Sequence, residues 1–215
     1  MKTRLFTLFV LWACTLVQAQ AQQSFPYPAI PDTLRNVEQR AGYLSEHYWD
    51  NYNFDDTLLL KSKEVTEQGF VNFIDILNRF TLDNASKGVA HKDIAQKGIA
   101  RKDITQQGIA CFTRKAFSNA AAKERFENLI EHYFEDQLSP VRNDRVYLIF
   151  LEEMKNSPCF NETEKERIAF KIKTTNKNLP GDIAINFNFK DENGKEHQLS
   201  DYKDQKVILY FYDPD

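Results

Sequence analysis

The sequence predicts a mainly α-helical N-terminal domain followed directly by a short C-terminal β segment. Two observations support this class. Apolar residues recur at helical spacing between residues 34 and 178, and they alternate with polar residues from Ile183 to Phe189. The first spacing places apolar side chains on one face of a helix, whereas period two places them on one face of a strand. We therefore expect a helical domain over 22–180 and β structure over 181–215.

The first 21 residues have the three parts of a secretory signal peptide. Lys2 and Arg4 are positively charged, residues 5–17 are apolar, and Ala19 and Ala21 offer small residues for cleavage. The apolar region of about 13 residues is too short to span a bilayer as a helix. We therefore expect a periplasmic or otherwise extracytoplasmic protein with no transmembrane span after cleavage. Residues 20–31 are rich in Gln and Pro and are interpreted as a tether.

An alternative reading of the N-terminus is a lipoprotein signal in which Cys14 carries a lipid anchor. Trp12 fits that reading poorly, because small residues are preferred before a lipidated cysteine. Apolar residues also continue beyond Cys14. A cleaved secretory signal is therefore preferred, and the lipid anchor is kept as the alternative.

Five helices are predicted between residues 32 and 178. Asp32 or Thr33 is expected to cap the first, and Asn143 the fourth, since Asp, Thr and Asn are favoured N-cap residues. Asn161 and Glu164 are close to a capping box, which opens the fifth helix and predicts its end near residue 178. The second and third are expected over about 62–80 and 115–134. The expected inward residues are Leu34, Val37, Ala41, Leu44 and Tyr48 in the first helix; Val65, Phe70, Phe73, Ile74 and Leu77 in the second; Phe117, Ala120, Ala121, Leu129, Ile130 and Tyr133 in the third; and Val146, Tyr147, Phe150 and Met154 in the fourth.

Residues 87–111 form an internal repeat with a period of five, reading KGVAH, KDIAQ, KGIAR, KDITQ and QGIAC. Five steps of about 100° turn each apolar residue by about 140° around a helix, so no apolar face accumulates. Glycine in every second unit also weakens a helix. We therefore interpret 84–115 as an insertion that forms a solvated loop. With seven Lys and Arg against two Asp over 87–115, a contact with an acidic surface is the alternative.

The composition excludes several classes of site. The formal net charge of −3 argues against a general nucleic-acid-binding protein, which would be basic. Cys14, Cys111 and Cys159 include no C-x-x-C pair, and the four His residues show no metal-ligand spacing. We therefore assign no catalytic, cofactor-binding or metal-binding residue in this chain. Pairing of Cys111 with Cys159 is left open, as is a free thiol at Cys111.

The C-terminal segment predicts a hairpin and a buried strand. Asn193-Gly194 is the strongest short hairpin signal and predicts a type I′ turn, with residues 197–199 as the returning arm. Residues 207–212 form a continuous apolar and aromatic run, which is typical of a strand covered on both faces. Without such cover, this strand would be an exposed apolar edge that is prone to pair with other chains. We therefore expect aggregation or proteolysis beyond about Pro180.

The same segment resembles the start of thioredoxin-like domains of the TlpA/ResA and AhpC/TSA type. The matching residues are Phe187, Asp191, Gly194, Lys195, Leu199, Ser200, Asp201, Tyr202, Lys203, Lys206, Val207 and Phe211. In that family a Cys-x-x-Cys motif follows almost at once. This chain departs from the family at residues 204–205 and 212–215, and it lacks the cysteine pair. The resemblance implies that 181–215 is the N-terminal fragment of a thioredoxin-like α/β domain, truncated before its active site.

The helical part is similar to a domain of unknown function that precedes thioredoxin-like domains in envelope proteins of Bacteroidetes. The residues that carry the similarity are 73–79, 138–144, 147–152 and 178–182. Together the two resemblances imply a fragment of an extracytoplasmic thiol–disulfide oxidoreductase that is inactive as given. Its partners would be protein thiols or disulfides that meet the missing region. The alternative function is a non-catalytic envelope binding or scaffold protein built on the helical domain.

Overall fold

The computed structural model describes residues 24–81 and 92–210, apart from 178, 180, 181, 184, 192, 204 and 209; within these ranges the side chains of 80–103 are also outside the description. The expected signal peptide, including Cys14, therefore lies outside the described residues. Among the helices that are described, none is both long and apolar enough to cross a membrane.

Helices dominate the described part of the chain. Their bounds are α1 Val37–His47, α2 Thr57–Lys61, α3 Gln68–Thr81, α4 Lys92–Ala116, α5 Ala120–Glu135, α6 Asp144–Asn156 and α7 Glu162–Thr175, and a π-helical turn over Lys63–Glu67 leads into α3. Helix α4 contacts α1, α3 and α6, and α7 packs on α6. The predicted class, mainly helical with a C-terminal β segment, is confirmed. The boundary at residue 180 stays a prediction.

The core of the helical domain is aromatic and is centred on Trp49, which follows α1. The Trp49 ring lies 5.1 Å from Phe112, 5.3 Å from Phe126 and 5.8 Å from Phe73, in tilted or edge-on arrangements. Such arrangements suit the ring quadrupoles and add to the free energy gained by burial. All three Phe side chains are buried. The aromatic stripes of the second, third and fourth predicted helices thus pack as core.

Two helix starts were predicted correctly. The Asn143 side chain accepts hydrogen bonds at the start of α6, and Asn161 and Glu164 form a reciprocal capping box at the start of α7. The start of the first helix was wrong: Asn36 caps α1, so Val37 begins the helix and is 78% exposed.

The third predicted helix was misplaced by about five residues. Helix α4 runs through Ala116, and a short break precedes Asn119, which caps α5. The inward residue of the first turn is Ala122, whereas the predicted Ala120 and Ala121 are exposed. Asn119 begins a new helix, so the inward positions of α5 are counted from Asn119 and do not continue the spacing of α4.

The expectation that the repeat forms a solvated loop was wrong from residue 92 onwards, where the chain is helical. The residues that face the core do not follow the fivefold series, although Ile109 belongs to both: they have spacings of four, three and four and are Thr105, Ile109, Phe112 and Ala116, all almost fully buried. A helical face therefore exists once non-repeat residues 112 and 116 are included. Residues 84–91 lie outside the described range, and an insertion relative to relatives stays a prediction.

The predicted hairpin is present, with a different turn. Strand β1, Asn188–Lys190, pairs antiparallel with β2, Glu196–Gln198, and Phe189 lies opposite His197. Gly194 has φ of +79°, but Asn193 does not have positive φ, so the turn is not type I′. The amide of Gly194 instead donates to the carbonyl of Asp191, at 2.9 Å, within a longer loop of the kind in which a left-handed Gly follows a β-turn. A short 3₁₀ helix, Leu199–Tyr202, follows β2.

The predicted strands at 183–189 and 207–212 are largely absent from the described residues. Only 188 and 189 of the first are in a strand, and Ile183 is 97% exposed. Residues 207, 208 and 210 have no regular structure, and Ile208 is 95% exposed. A strand needs a neighbour for its ladder of hydrogen bonds, and the described part of the chain supplies none here. The expected proteolysis of this segment stays a prediction.

Candidate functional site

The two cysteines of the helical domain are separate free thiols. Cys111 is half-buried on α4, and Cys159 is exposed in the loop before α7. The disulfide that the sequence left open is therefore not formed. Within the described ranges, no group of three or more His, Cys, Asp or Glu residues is arranged to hold a metal ion.

A small cleft lies between α5, α6 and α7. Leu151, Met154, Phe160 and Ile168 form its apolar lining, and Glu127, Glu131, Glu164, Arg167 and Lys171 supply its charges. Its enclosed volume is about 50 Å³, much smaller than the roughly 300–1,000 Å³ of typical small-molecule sites. The cleft therefore suits a side chain of a protein partner better than a cofactor.

Lys171 joins α7 to α5 at one end of the cleft. Its ammonium lies 2.6 Å from Glu131 and 2.8 Å from Glu135, and the hydroxyl of Tyr147 donates to Glu135 at 2.8 Å. Burial acts to lower the pKa of Lys171, but its bonds to the two carboxylates outweigh burial and raise that pKa. Burial and the bond to Glu135 both raise the pKa of Tyr147. Lys171 and Tyr147 thus both stay protonated near neutral pH.

Lys123 contacts two residues of the cleft lining, Glu164 and Phe160. Its ammonium lies 2.9 Å from a Glu164 oxygen, donates to the carbonyl of Cys159 at 2.9 Å, and sits 4.1 Å from the centre of the Phe160 ring. A cation over a ring face is attracted by the ring quadrupole. Between the two lysines, burial raises the pKa of Glu127, and the charges of Glu164 and Glu131 add to that rise.

A second polar cluster lies where the π-helical turn meets α5. Arg125 donates to the Leu60 carbonyl and to Glu67, both at 3.0 Å, and the Tyr133 hydroxyl donates to the other Glu67 oxygen at 3.0 Å. Burial acts to raise the pKa of Glu67, but these bonds outweigh it and hold that pKa below its usual range. The cluster ties three elements together, and its groups are all paired, which is typical of a structural network.

The hairpin carries a third cluster of titratable groups. His197 lies between Asp191, 3.0 Å from its Nε2, and the Tyr202 hydroxyl, 3.2 Å from its Nδ1. The bond with His197, together with backbone amides of Lys195 and Asn193, holds the pKa of Asp191 below its usual range. Phe189 stacks on the imidazole with ring centres 5.7 Å apart. These contacts fix the 3₁₀ helix against the hairpin.

No cleft residue was predicted as functional from the sequence, although part of the signal was present. Lys123, Glu127, Glu131 and Glu135 recur every four residues, which places them on one face of α5. The sequence does not show that α7 would lie across this face and bring Lys171 to it.

The fold shows the class of protein: a helical domain with an aromatic core, joined to a short β segment. The chain belongs to the family described as a domain of unknown function, DUF5106, whose family model matches residues 13–178. This confirms the interpretation of the helical part as a domain of unknown function.

A thioredoxin-like protein from Bacteroides caccae ATCC 43185, solved by crystallography at 1.90 Å, is similar to this chain, with 32% sequence identity and a TM-score of 0.65. The match covers 83% of this chain and 57% of that chain, so this chain spans a little more than half the length of that protein. No curated protein matches this chain.

Proposed function

We propose that this chain is the helical part, with the first β elements, of an extracytoplasmic thioredoxin-like protein that carries out thiol–disulfide exchange. The observation that carries the proposal is the similarity to the Bacteroides caccae thioredoxin-like protein at 32% identity over 83% of the chain. The hairpin with its Gly-Lys and Leu-Ser-Asp-Tyr-Lys residues adds support from the sequence.

In this proposal the chemistry belongs to a Cys-x-x-Cys pair beyond residue 215. A thiolate of such a pair, with its pKa lowered at a helix N-terminus, attacks a substrate disulfide and forms a mixed disulfide that the second thiol resolves. Cys111 and Cys159 do not serve this role, since they lie in different elements of the helical domain and lack that spacing. The helical domain then orients the redox domain or its partner.

The test begins with the genomic DNA downstream of codon 215. We expect an open reading frame with Cys-x-x-Cys and about 100 further residues, the size that completes a small domain. The full product should reduce insulin disulfides in the presence of a thiol donor, and replacing both cysteines of the pair with serine should abolish this activity. The Cys111→Ser, Cys159→Ser double variant is the matched control and should retain it. A stop codon at 216, or activity that survives loss of the pair, would refute the proposal.

A second candidate function is a non-catalytic envelope binding or scaffold protein, favoured by the cleft between α5 and α7. An apolar lining with charges of both signs at its edge is typical of a surface that takes a partner side chain. Photo-cross-linking from position 167, on the cleft, should capture an envelope protein that cross-linking from position 38, on α1, does not. Equal capture from both positions would count against this function.

The extracytoplasmic location is part of the proposal and has its own test. N-terminal sequencing of the protein purified from the periplasm should start after Ala19 or Ala21. A lipidated N-terminal Cys14, detected by mass spectrometry in the membrane fraction, would replace the cleaved signal by the lipid anchor.

A further inference from the structure

Residues 24–28, here called the strap, are packed against the helical domain and do not form the tether expected from their composition. The Phe25 side chain is only 7% exposed. Its ring lies 4.7 Å from Tyr48, 5.1 Å from Trp49 and 6.1 Å from Tyr52, stacked on the two tyrosines and edge-on to the tryptophan. Phe25 thus fills an aromatic socket formed by residues that follow α1.

Gly69 forms one side of the socket, where a residue with a Cβ atom would not fit. A Cβ atom at Gly69, near the start of α3, would lie 2.3 Å from the Phe25 ring, which no real contact allows. The backbone of Gly69 takes part as well, because its carbonyl accepts a hydrogen bond from the Tyr48 hydroxyl at 3.0 Å. The glycine therefore lets the ring approach the helix backbone closely.

Polar side chains hold the second aromatic residue of the strap. Asn51 donates to the Tyr27 carbonyl at 3.2 Å, and Asn72 donates to the Tyr27 hydroxyl at 3.0 Å. The Gln68 side-chain amide donates to Oδ1 of Asn72 at 2.9 Å, and this bond orients the side-chain amide of Asn72. The two ends of Tyr27 are thus recognised by different elements.

The strap is already shaped for this site by its own sequence. The Tyr27 amide donates to the Phe25 carbonyl at 3.0 Å and closes a three-residue turn centred on Pro26. Proline has the fixed φ that this turn needs. The turn brings the rings of Phe25 and Tyr27 to 5.0 Å from one another. Little conformational freedom is then lost on docking, which favours binding.

We propose that the socket of Tyr48, Trp49, Tyr52 and Gly69, together with Asn51 and Asn72, is a peptide-binding site for an aromatic–Pro–aromatic segment, and that its occupant is the chain's own strap. The strap is thus a ligand in cis. It fastens the N-terminus of the secreted chain to the α1–α3 face, so that any anchor preceding residue 24 leaves the domain there. This inference does not rest on the proposed redox function.

The test uses fluorescence of the chain that starts at residue 22. That chain lacks Trp12, so Trp49 is its single tryptophan. Phe25→Ala should shift the emission of Trp49 to longer wavelength and raise its quenching by acrylamide, with an unchanged helical circular dichroism spectrum. Adding the peptide Ser-Phe-Pro-Tyr-Pro-Ala should restore the original emission in a saturable manner at about millimolar concentration, because a short covalent link supplies an effective concentration of that order.

Two controls make the result specific. The same peptide with Ala in place of Phe should restore nothing, and Asn72→Ala in the Phe25→Ala background should weaken the rescue about threefold or more. Unchanged emission in Phe25→Ala, no saturable rescue, or equal rescue by the control peptide would overturn the proposal. If Phe25→Ala does not fold, Asn72→Ala alone in the otherwise unaltered chain should increase acrylamide quenching of Trp49, and no increase would overturn it.

Discussion

Replacing Gly42 or Gly108 with alanine should change the stability of the protein in opposite directions, although both glycines lie in the same contact between α1 and α4. A Cβ at Gly42 would meet the Ile104 side chain at 3.7 Å, an ordinary contact. A Cβ at Gly108 would lie 3.1 Å from both Cβ and the backbone oxygen of Ser45, closer than nine in ten real contacts. A side chain can turn away, but the Ser45 backbone cannot.

The expected magnitudes follow from two terms. Alanine in place of glycine inside a helix gains roughly 0.5–1 kcal/mol, so Gly42→Ala should raise the free energy of unfolding by about that amount. At Gly108 the same gain is opposed by an overpacking cost of about 1–3 kcal/mol, which leaves a net loss of about 1 kcal/mol. For a chain of this size each kcal/mol shifts Tm by roughly 2–4 °C.

The assay is urea unfolding followed by circular dichroism, with thermal unfolding as a second measure. The two variants are each other's control, because the substitution is the same and only the neighbour differs. If Gly108→Ala stabilises the protein as much as Gly42→Ala does, then α4 does not approach α1 as described. The conclusion that the repeat forms a core helix would then fail.

Three further predictions concern polar groups and thiols. Two hydrogen bonds lower the pKa of Glu164 in the folded protein: the one from the backbone amide of Asn161, which has the larger effect, and the one from Lys123. Ionised Glu164 therefore stabilises the fold above its unfolded pKa of about 4.3, and this stabilisation is lost as pH falls through the lower pKa of the folded state. Glu164→Gln should therefore lower the free energy of unfolding at pH 7 by up to about 1 kcal/mol, and in urea unfolding this difference should shrink as pH falls below the unfolded pKa; a constant difference would contradict this. Arg125→Ala should lower the free energy of unfolding by about 2 kcal/mol, since one Glu67 oxygen and the Leu60 carbonyl lose their bonds to Arg125, while the stability of Arg125→Lys should fall between that of Arg125→Ala and that of the unaltered protein; equal stability of all three would count against it. A thiol reagent should label exposed Cys159 faster than half-buried Cys111 in the native protein; absence of label at both cysteines without a reductant would indicate a disulfide.

Much of the helical domain could be predicted from local patterns. Asn143 and the pair Asn161 and Glu164 satisfy backbone amides within their own first turn, so their capping needs no tertiary information. The inward faces of α3 and α6 follow from spacing alone, because a helix with an apolar stripe must bury it.

The repeat could not be predicted correctly because its helical face depends on residues outside it. Within 87–111 the Ile positions do not line up, and glycine disfavours a helix. The face appears only when Thr105 and Ile109 are combined with Phe112 and Ala116. The cost of Gly108 in a helix is offset because Ser45 of α1 needs the space, and nothing local reveals that neighbour.

The clusters of the candidate sites depend on chain segments far apart in sequence. Lys171 meets Glu131 across 40 residues, and Phe25 meets Gly69 across 44. The sequence shows that α5 carries charges every four residues and that the strap contains aromatic residues and prolines. It does not show which other element lies opposite.

By itself, the sequence determined the class of the protein, the starts of α6 and α7, and the existence of the hairpin. These depend on periodicity, caps and turn residues, which act over a few residues. Only the tertiary structure decided that the repeat forms part of the core, that the strap fills a socket, and that α5 and α7 enclose a charged cleft. Each of these features depends on contacts between two segments that are distant in sequence. The free energy of such contacts cannot be read from either segment alone.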